Sequence, residues 1–301
     1  MKRILIISDG KPGHLNQSIA FCKIKKISYD IVEIDFKHKL LKGLSYIADK
    51  AGYFTEKFFK EHKKINYEFY DAVVSTGSST YYFTKYISKK YKMKSIVLML
   101  PKSYDYEDFT YIIAQKHDNP PKLPNLIEIP LNLSMPVCKN YIKKAENKKA
   151  VGVVIGGPNE VFNMNLIAIK NVLDEIKSKN KNKEIYITTS RRTPKEIEEL
   201  IEGMDFDYKL IYSKEPTINP IGDFIEKCEE IYITIDSTSM ISEVRANSDC
   251  KLNIIELESE YEDTKFHKLV DIVKSIDKKL DFEKLLERVE IWKIYIIIKS
   301  V

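Results

Sequence analysis

The chain has 301 residues, 44% of them hydrophobic, and a formal net charge of +5. That much apolar material builds real cores and excludes a disordered protein, and the length suits one large or two medium domains. The charge is uneven: residues 1–150 hold 27 Lys and Arg against 15 Asp and Glu, whereas residues 151–301 hold 22 against 29. Two domains with different partners are expected, the basic one facing something anionic. Nucleic acid is not expected, because no motif interleaves aromatic with basic residues. The cysteines, Cys22, Cys138, Cys228 and Cys250, have no metal-ligand spacing and read as reduced thiols. With no leader ahead of the first strand and no apolar run near the ~20 residues of a spanning helix, the expected location is the cytoplasm.

Arg3 to Ser8 reads as a buried strand running into DGKPGHLNQS, with a helix from about Asn16. Gly10 and Gly13 allow the backbone to turn and approach a ligand, and His14 stands near the helix start above the carboxyl end of the strand. A histidine there is either a cap or a functional group. Asp30 to Asp35 is the second strand. Leu40, Leu44, Ile47, Ala51, Phe54 and Phe58 then recur at helical spacing, in a stretch (37–64) with eight lysines and three acidic residues. The stripe reads as a core face with a solvated lysine face opposite, or as a helix that touches anionic lipid. Asp71 to Ser75 and Lys94 to Leu100 are strands, the first followed by the TGSST turn at Gly77. Tyr111 to Ala114 and Leu126 to Ile129 are shorter ones, separated by the proline-rich loop that holds His117 and Asp118.

The lysine-rich segment Lys139 to Lys149 is the expected boundary, after which the pattern restarts. Val151 to Ile155 is a strand entering GGPNEVF, where Gly156 and Gly157 permit close backbone approach. Glu184 to Thr188 is a strand leading to TSRRTP. Pro194 suits a first helical turn, so Arg191 and Arg192 fall just before a helix N-terminus, where paired guanidiniums suit an anion. Lys209 to Tyr212 and Leu252 to Ile255 complete the strands around Ile231–Ala246, IYITIDSTSMISEVRA. That stretch is a strand, a hydroxyl-rich turn and a helix. Ser237, Thr238 and Ser239 can supply donors to a phosphate at the helix's positive end, with Glu243 placed for ribose or sugar hydroxyls. The alternative is that Asp236 or Ser237 simply caps the helix. Strands alternating with helices make the fold class α/β, with parallel, doubly wound sheets. The expected layout is domains at 1–145 and 150–280 and a segment at 281–301 returning to the first, its apolar end after Trp292 either strand or helix.

DGKPGHLNQSIA, DAVVSTG, HDNPPKLPN, VIGGPNEVF, ITTSRRTP, the Asn219-Pro220 pair, TIDSTSMISE and KFHKL (Lys265 to Leu269) together resemble the mitochondrial-fission Elm-type family, whose members are read as glycosyltransferases. The resemblance spans most of residues 3–270. It implies a GT-B-like architecture, two Rossmann-like domains facing across a cleft, with a sugar nucleotide held by the second and no metal or other cofactor. Two departures stand out. Ser78 and Ser79 follow Gly77 where the family usually has arginines, and LNLSMP replaces its Leu-His-Arg element.

The expected reaction is transfer of a sugar from a nucleotide-activated donor to an acceptor hydroxyl. Gly156, Gly157, Arg191, Arg192, Ser237, Thr238 and Ser239 would stabilise the departing phosphate, and Glu243 would hold hydroxyls. His14 would be the base, since imidazole readily gains and loses a proton, with Asp9 as second candidate or as the group orienting the loop. Gly13, Asn16, Gly77, His117 and Asp118 would line the acceptor side. The basic first half further points to a lipid-linked acceptor, with the enzyme peripheral at the inner face of an anionic membrane. A GT-B-fold sugar-nucleotide epimerase and a non-catalytic membrane-surface adaptor are the alternatives.

Overall fold

A computed structural model describes residues 3–63, 65–145 and 148–291. They divide into two compact units, residues 3–134 with 281–291, and residues 135–280. The apolar run from Trp292 onward lies outside the described residues.

The first unit is one sheet of six parallel strands, β1 (Arg3–Ser8), β2 (Ser28–Glu33), β3 (Ala72–Thr76), β4 (Lys94–Leu98), β5 (Tyr111–Gln115) and β6 (Leu126–Ile129). Their order is β2-β1-β3-β4-β5-β6. The central strands are apolar without alternation because helices cover both faces. On one face α2 (Lys39–Lys50) and α3 (Tyr81–Tyr91) seal a core of Leu5, Ile7, Val73, Val97, Ile112 and Ala114 with Tyr81, Tyr82 and Phe83. On the other lies α1 (Pro12–Ile24), tied to the sheet by the Ser18–Thr76 hydroxyl bond at 2.8 Å.

The second unit is a sheet of five parallel strands. These are β7 (Ala150–Ile155), β9 (Glu184–Thr189), β10 (Tyr208–Leu210), β11 (Glu230–Thr234) and β12 (Lys251–Ile255), in the order β10-β9-β7-β11-β12. Its helices are α4 (Leu166–Lys179), α5 (Lys195–Gly203), α6 (Ile221–Lys227), α7 (Thr238–Asn247) and α8 (Lys265–Lys274), while α9 (Phe282–Leu285) belongs to the first unit. A small antiparallel pair, β8 (Phe162–Asn163) with β13 (Glu258–Ser259), is too short to leave a periodic signal in the sequence. The lysine-rich segment after residue 135 is part of this unit, because the buried Asp223 carboxylate on α6 accepts the N–H groups of Lys139 (2.9 Å) and Ile142 (3.0 Å). Burial would push Asp223 up, but these two donors and Lys227 hold it below the ordinary carboxylate range.

In each sheet the strand order reverses once, between β1 and β3 and between β7 and β11. Such switch points open a crevice at the carboxyl ends of the strands.

Helix α2 departs from the core-face expectation. Its inward face is Leu41, Ser45, Ala48 and Asp49, one position away from the sequence stripe, and Leu40, Leu44 and Ile47 face outward. Polar contacts set this rotation. Asp49 meets the buried Lys85 ammonium of α3 at 2.6 Å and accepts the Asp105 N–H at 2.7 Å, and Ser45 bonds the Tyr104 hydroxyl at 3.1 Å. Asp49→Ala leaves that ammonium without its nearest counter-charge and should cost about 3–5 kcal/mol in urea unfolding. Asp35→Ala, which breaks the exposed Lys60–Asp35 pair, should cost about 1 kcal/mol or less.

Candidate functional site

At the β1/β3 switch point the turn after β1 feeds α1, which starts at Pro12, a full turn before the Asn16 expected from sequence. Proline is preorganised for a first helical position, and its missing N–H is one that no helix would use. His14 therefore sits inside the first turn, where its Nδ1 lies 3.0 and 3.1 Å from the two Asp9 carboxylate oxygens. A carboxylate can only accept, so Nδ1–H donates, and in the neutral imidazole the lone pair is then on Nε2. Burial alone would raise Asp9, but the His14 bond, the His14 charge and Lys11 hold it below its ordinary value. The Nδ1–Cε1 edge of the imidazole packs against Gly77, which has φ +93°, and a Cβ there would stand 2.3 Å from Nδ1. The Gly77 N–H donates to the Tyr81 hydroxyl at 3.0 Å, which in turn donates to the Leu98 carbonyl at 2.8 Å.

Gly13 and Asn16 are exposed on the same first turns of α1. Asp118 is engaged by Lys102 at 2.9 Å, and His117 is half-buried beside it in a short turn after β5. Sequence reasoning missed Lys42. Its ammonium, from α2, donates to Ser78 at 2.9 Å and so brings a cation to the turn where serines replace arginines. Burial, and then repulsion from Lys11, lower its pKa, with Asp9 opposing. Lysines were visible throughout that helix, but nothing in the sequence distinguished the one that folds back.

At the β7/β11 switch point the structure brings Gly156, Gly157, Arg192 and Ser237 around one group that sequence reasoning treated only as a cap, the buried carboxylate of Asp236. It accepts the Gly157 N–H at 3.1 Å, the Arg192 guanidinium at 2.6 Å and the Ser237 hydroxyl at 3.1 Å. The Gly156 N–H donates to the Thr234 hydroxyl at 2.7 Å. Thr193 clips the β9–α5 loop onto β7 by donating to the Gly156 carbonyl at 2.6 Å. Glycine is required at both positions: a Cβ on Gly156 would fall 2.2 Å from the Asp236 carboxylate, and one on Gly157 2.0 Å from the Arg192 carbonyl. Asp236 Oδ1 is buried with no hydrogen-bond partner among the described residues.

No side chain caps α7, so the first-turn N–H groups beyond Ser237 are unclaimed by a cap. Thr238 is half-buried and Ser239 exposed at that end. The two arginines separate. Arg192 is seated on Asp236, while Arg191 is exposed and makes no hydrogen bond or ion pair among the described residues. Glu243, in the second turn of α7, is pushed up to about 7 by burial. Among the matched segments, KFHKL opens α8, where His267 and Thr264 form a capping box, and Asn219, ahead of the N-cap Pro220 of α6, accepts the Ile221 N–H at 3.1 Å.

The pattern of the family described as "Mitochondrial fission ELM1" matches residues 12–293. The chain belongs to this family. No curated protein sequence matches it. Among solved structures, this ELM1-family chain is similar to MnaA of S. aureus in a co-structure with UDP: TM-score 0.52, 14% identity, covering 90% of this chain and 82% of that one. UDP-GlcNAc 2-epimerase from Neisseria meningitidis, bound to UDP-GlcNAc, gives 0.49 at 12% identity (96% and 92%). The glycosyltransferase SnogD from Streptomyces nogalater gives 0.49 at 11% (91% and 84%). The fold is of the GT-B type, built from two Rossmann-like α/β units.

Two outcomes follow. Gly157→Ala should destabilise the protein by about 1–3 kcal/mol through overpacking against the Arg192 backbone, read from the urea midpoint. Because the folded-state value of Glu243 is raised from 4.5 to about 7, its contribution is full below about pH 4.5 and lost as pH rises through 7. The stability of the wild type relative to Glu243→Gln should therefore fall across that window in urea titrations.

Proposed function

We propose that this protein transfers a sugar from a nucleotide-activated donor to an acceptor hydroxyl, without a cofactor. The observation that carries the reading is the arrangement at the β7/β11 switch point. Two glycines let the loops after β7 and β9 close tightly on Asp236 beside an uncapped helix N-terminus, with a guanidinium fixed at its edge by that carboxylate. Backbone amides and a helix's positive end suit a phosphate that gains charge as its bond to the sugar breaks. Arg192 is half neutralised by Asp236, so it serves first to hold the loop and second to share its remaining N–H groups with the phosphate. Glu243, one turn further into α7, is the acceptor for ribose or sugar hydroxyls.

In the first unit, Asp9 holds the His14 tautomer whose Nε2 can take a proton. In the reaction the acceptor O–H proton passes to Nε2 as the oxygen bonds to the anomeric carbon. The bond from that carbon to the donor phosphate breaks, and its electron pair leaves on the phosphate. The basic first unit favours an acceptor that is lipid-linked at an anionic surface. Since MnaA shares the fold and was solved with UDP, UDP and UDP-sugars are the first donors to try.

Calorimetry with UDP should show binding that weakens about tenfold or more in Arg192→Ala and less in Arg192→Lys, as expected for loss of a charge-assisted bond. His14→Ala should leave UDP binding within about twofold while lowering turnover about 10²–10⁴-fold. No binding of any nucleotide would favour an adaptor. Conversion of the UDP-sugar to its epimer without acceptor would favour an epimerase.

A further inference from the structure

Helix α2 is built inside out. Leu40, Leu44 and Ile47, at i, i+4 and i+7, are 82%, 48% and 67% exposed, and Ala51 extends the same stripe by another turn. Its buried residues are instead the polar Ser45 and Asp49. Tyr53, also exposed, follows directly. An apolar stripe facing water over ~18 Å of helix is uncommon on a monomer surface and marks a contact site. The rotation is fixed by the Asp49–Lys85 pair and the Ser45–Tyr104 bond, so the stripe cannot roll inward without taking the buried Lys85 ammonium's nearest counter-charge away.

The charge around the stripe identifies the occupant. Lys39 and Lys50 lie along one flank, about a quarter turn away, and Lys37 precedes the helix; all three are exposed. The only acid on α2, Asp49, is buried and neutralised, and the nearby Asp35 is paired with Lys60 at 2.6 Å. A short apolar stripe flanked by unopposed lysines matches a bilayer interface. Acyl chains there accept the aliphatic side chains while lipid phosphates meet the ammoniums. We propose that α2 docks this protein on an anionic lipid surface, with Leu40, Leu44, Ile47 and Ala51 entering the headgroup boundary and Lys37, Lys39 and Lys50 against the phosphates. Lys42, on the face of α2 opposite the stripe, reaches back to Ser78 in the Gly77 turn, so docking would hold that turn about a helix diameter, ~10 Å, from the membrane surface. The docking itself does not depend on glycosyl transfer.

The test is co-sedimentation of the full chain, without nucleotide, with two kinds of vesicle. One is phosphatidylcholine alone and the other equal parts phosphatidylcholine and phosphatidylglycerol. Binding should be confined to the anionic vesicles and should drop about tenfold at about 0.5 M salt, where the Debye length falls to a few ångströms. The variant Leu40→Ser/Leu44→Ser/Ile47→Ser and the variant Lys37→Glu/Lys39→Glu/Lys50→Glu should each lose binding about tenfold. Both change only exposed positions, so the melting temperature should stay within a few degrees of wild type. Undiminished sedimentation of the serine variant, or equal sedimentation with neutral vesicles, would overturn the proposal. So would a wild-type dimer in velocity sedimentation that the serine variant converts to monomer, since a second copy would then cover the stripe. Vesicle binding and UDP calorimetry are separate readouts, so loss of one leaves the other standing.

Discussion

One buried carboxylate organises the second unit. Asp236 follows β11, and one of its oxygens, Oδ2, gathers a backbone amide from the loop after β7, a guanidinium from the loop after β9 and a hydroxyl from the start of α7. Three connections that are far apart in the chain become one rigid rim. Burying a lone carboxylate is costly, and the arginine makes it tolerable. The same pairing means that the rim is close to neutral before any anion arrives. In the proposed reaction, attraction for phosphate would rest on the uncapped end of α7 rather than on two free arginines, because the Gly156 and Gly157 N–H groups are already given to Thr234 and Asp236. Both glycines have no room for a side chain because the Asp236 carboxylate and the Arg192 backbone already fill those positions.

The first unit applies the same construction differently. The strand-order reversal places the turn after β1 beside the turn after β3, and Gly77 presents a bare surface against which the edge of the His14 ring packs. Asp9 fixes which nitrogen carries the proton. A cation reaches this rim from a helix far along the chain, through Lys42, so Ser78 after Gly77 becomes a lysine's partner.

Helix α2 links that rim to the molecule's surroundings. Its buried polar contacts are worth less as stability than as orientation, because a hydrophobic replacement of a buried pair is often neutral whereas a half-removed one is not. They hold a greasy stripe in water, a cost that makes sense when a lipid phase covers it. Among the described residues no helix is long and apolar enough to cross a membrane, and surface docking needs none.

Much of the architecture was legible along the chain. Periodicity and punctuation located eleven parallel strands, often within two residues of their ends, because buried parallel strands are continuous β-branched runs and their turns need glycine or proline. The loops that carry Gly156, Gly157, Arg192, Ser237, Asp9 and His14 were equally visible, since each follows a strand. Three things were decided only by tertiary structure. Asp236 became a hub rather than a cap, Arg191 and Arg192 took different roles, and the inward face of α2 shifted by one residue. Local pattern records which residues can share a face, but which face turns inward is set by partners from other segments. Here those partners were Lys85, Tyr104 and Asp105 for α2, and Gly157 and Arg192 for Asp236. No window of sequence contains both halves of such a contact.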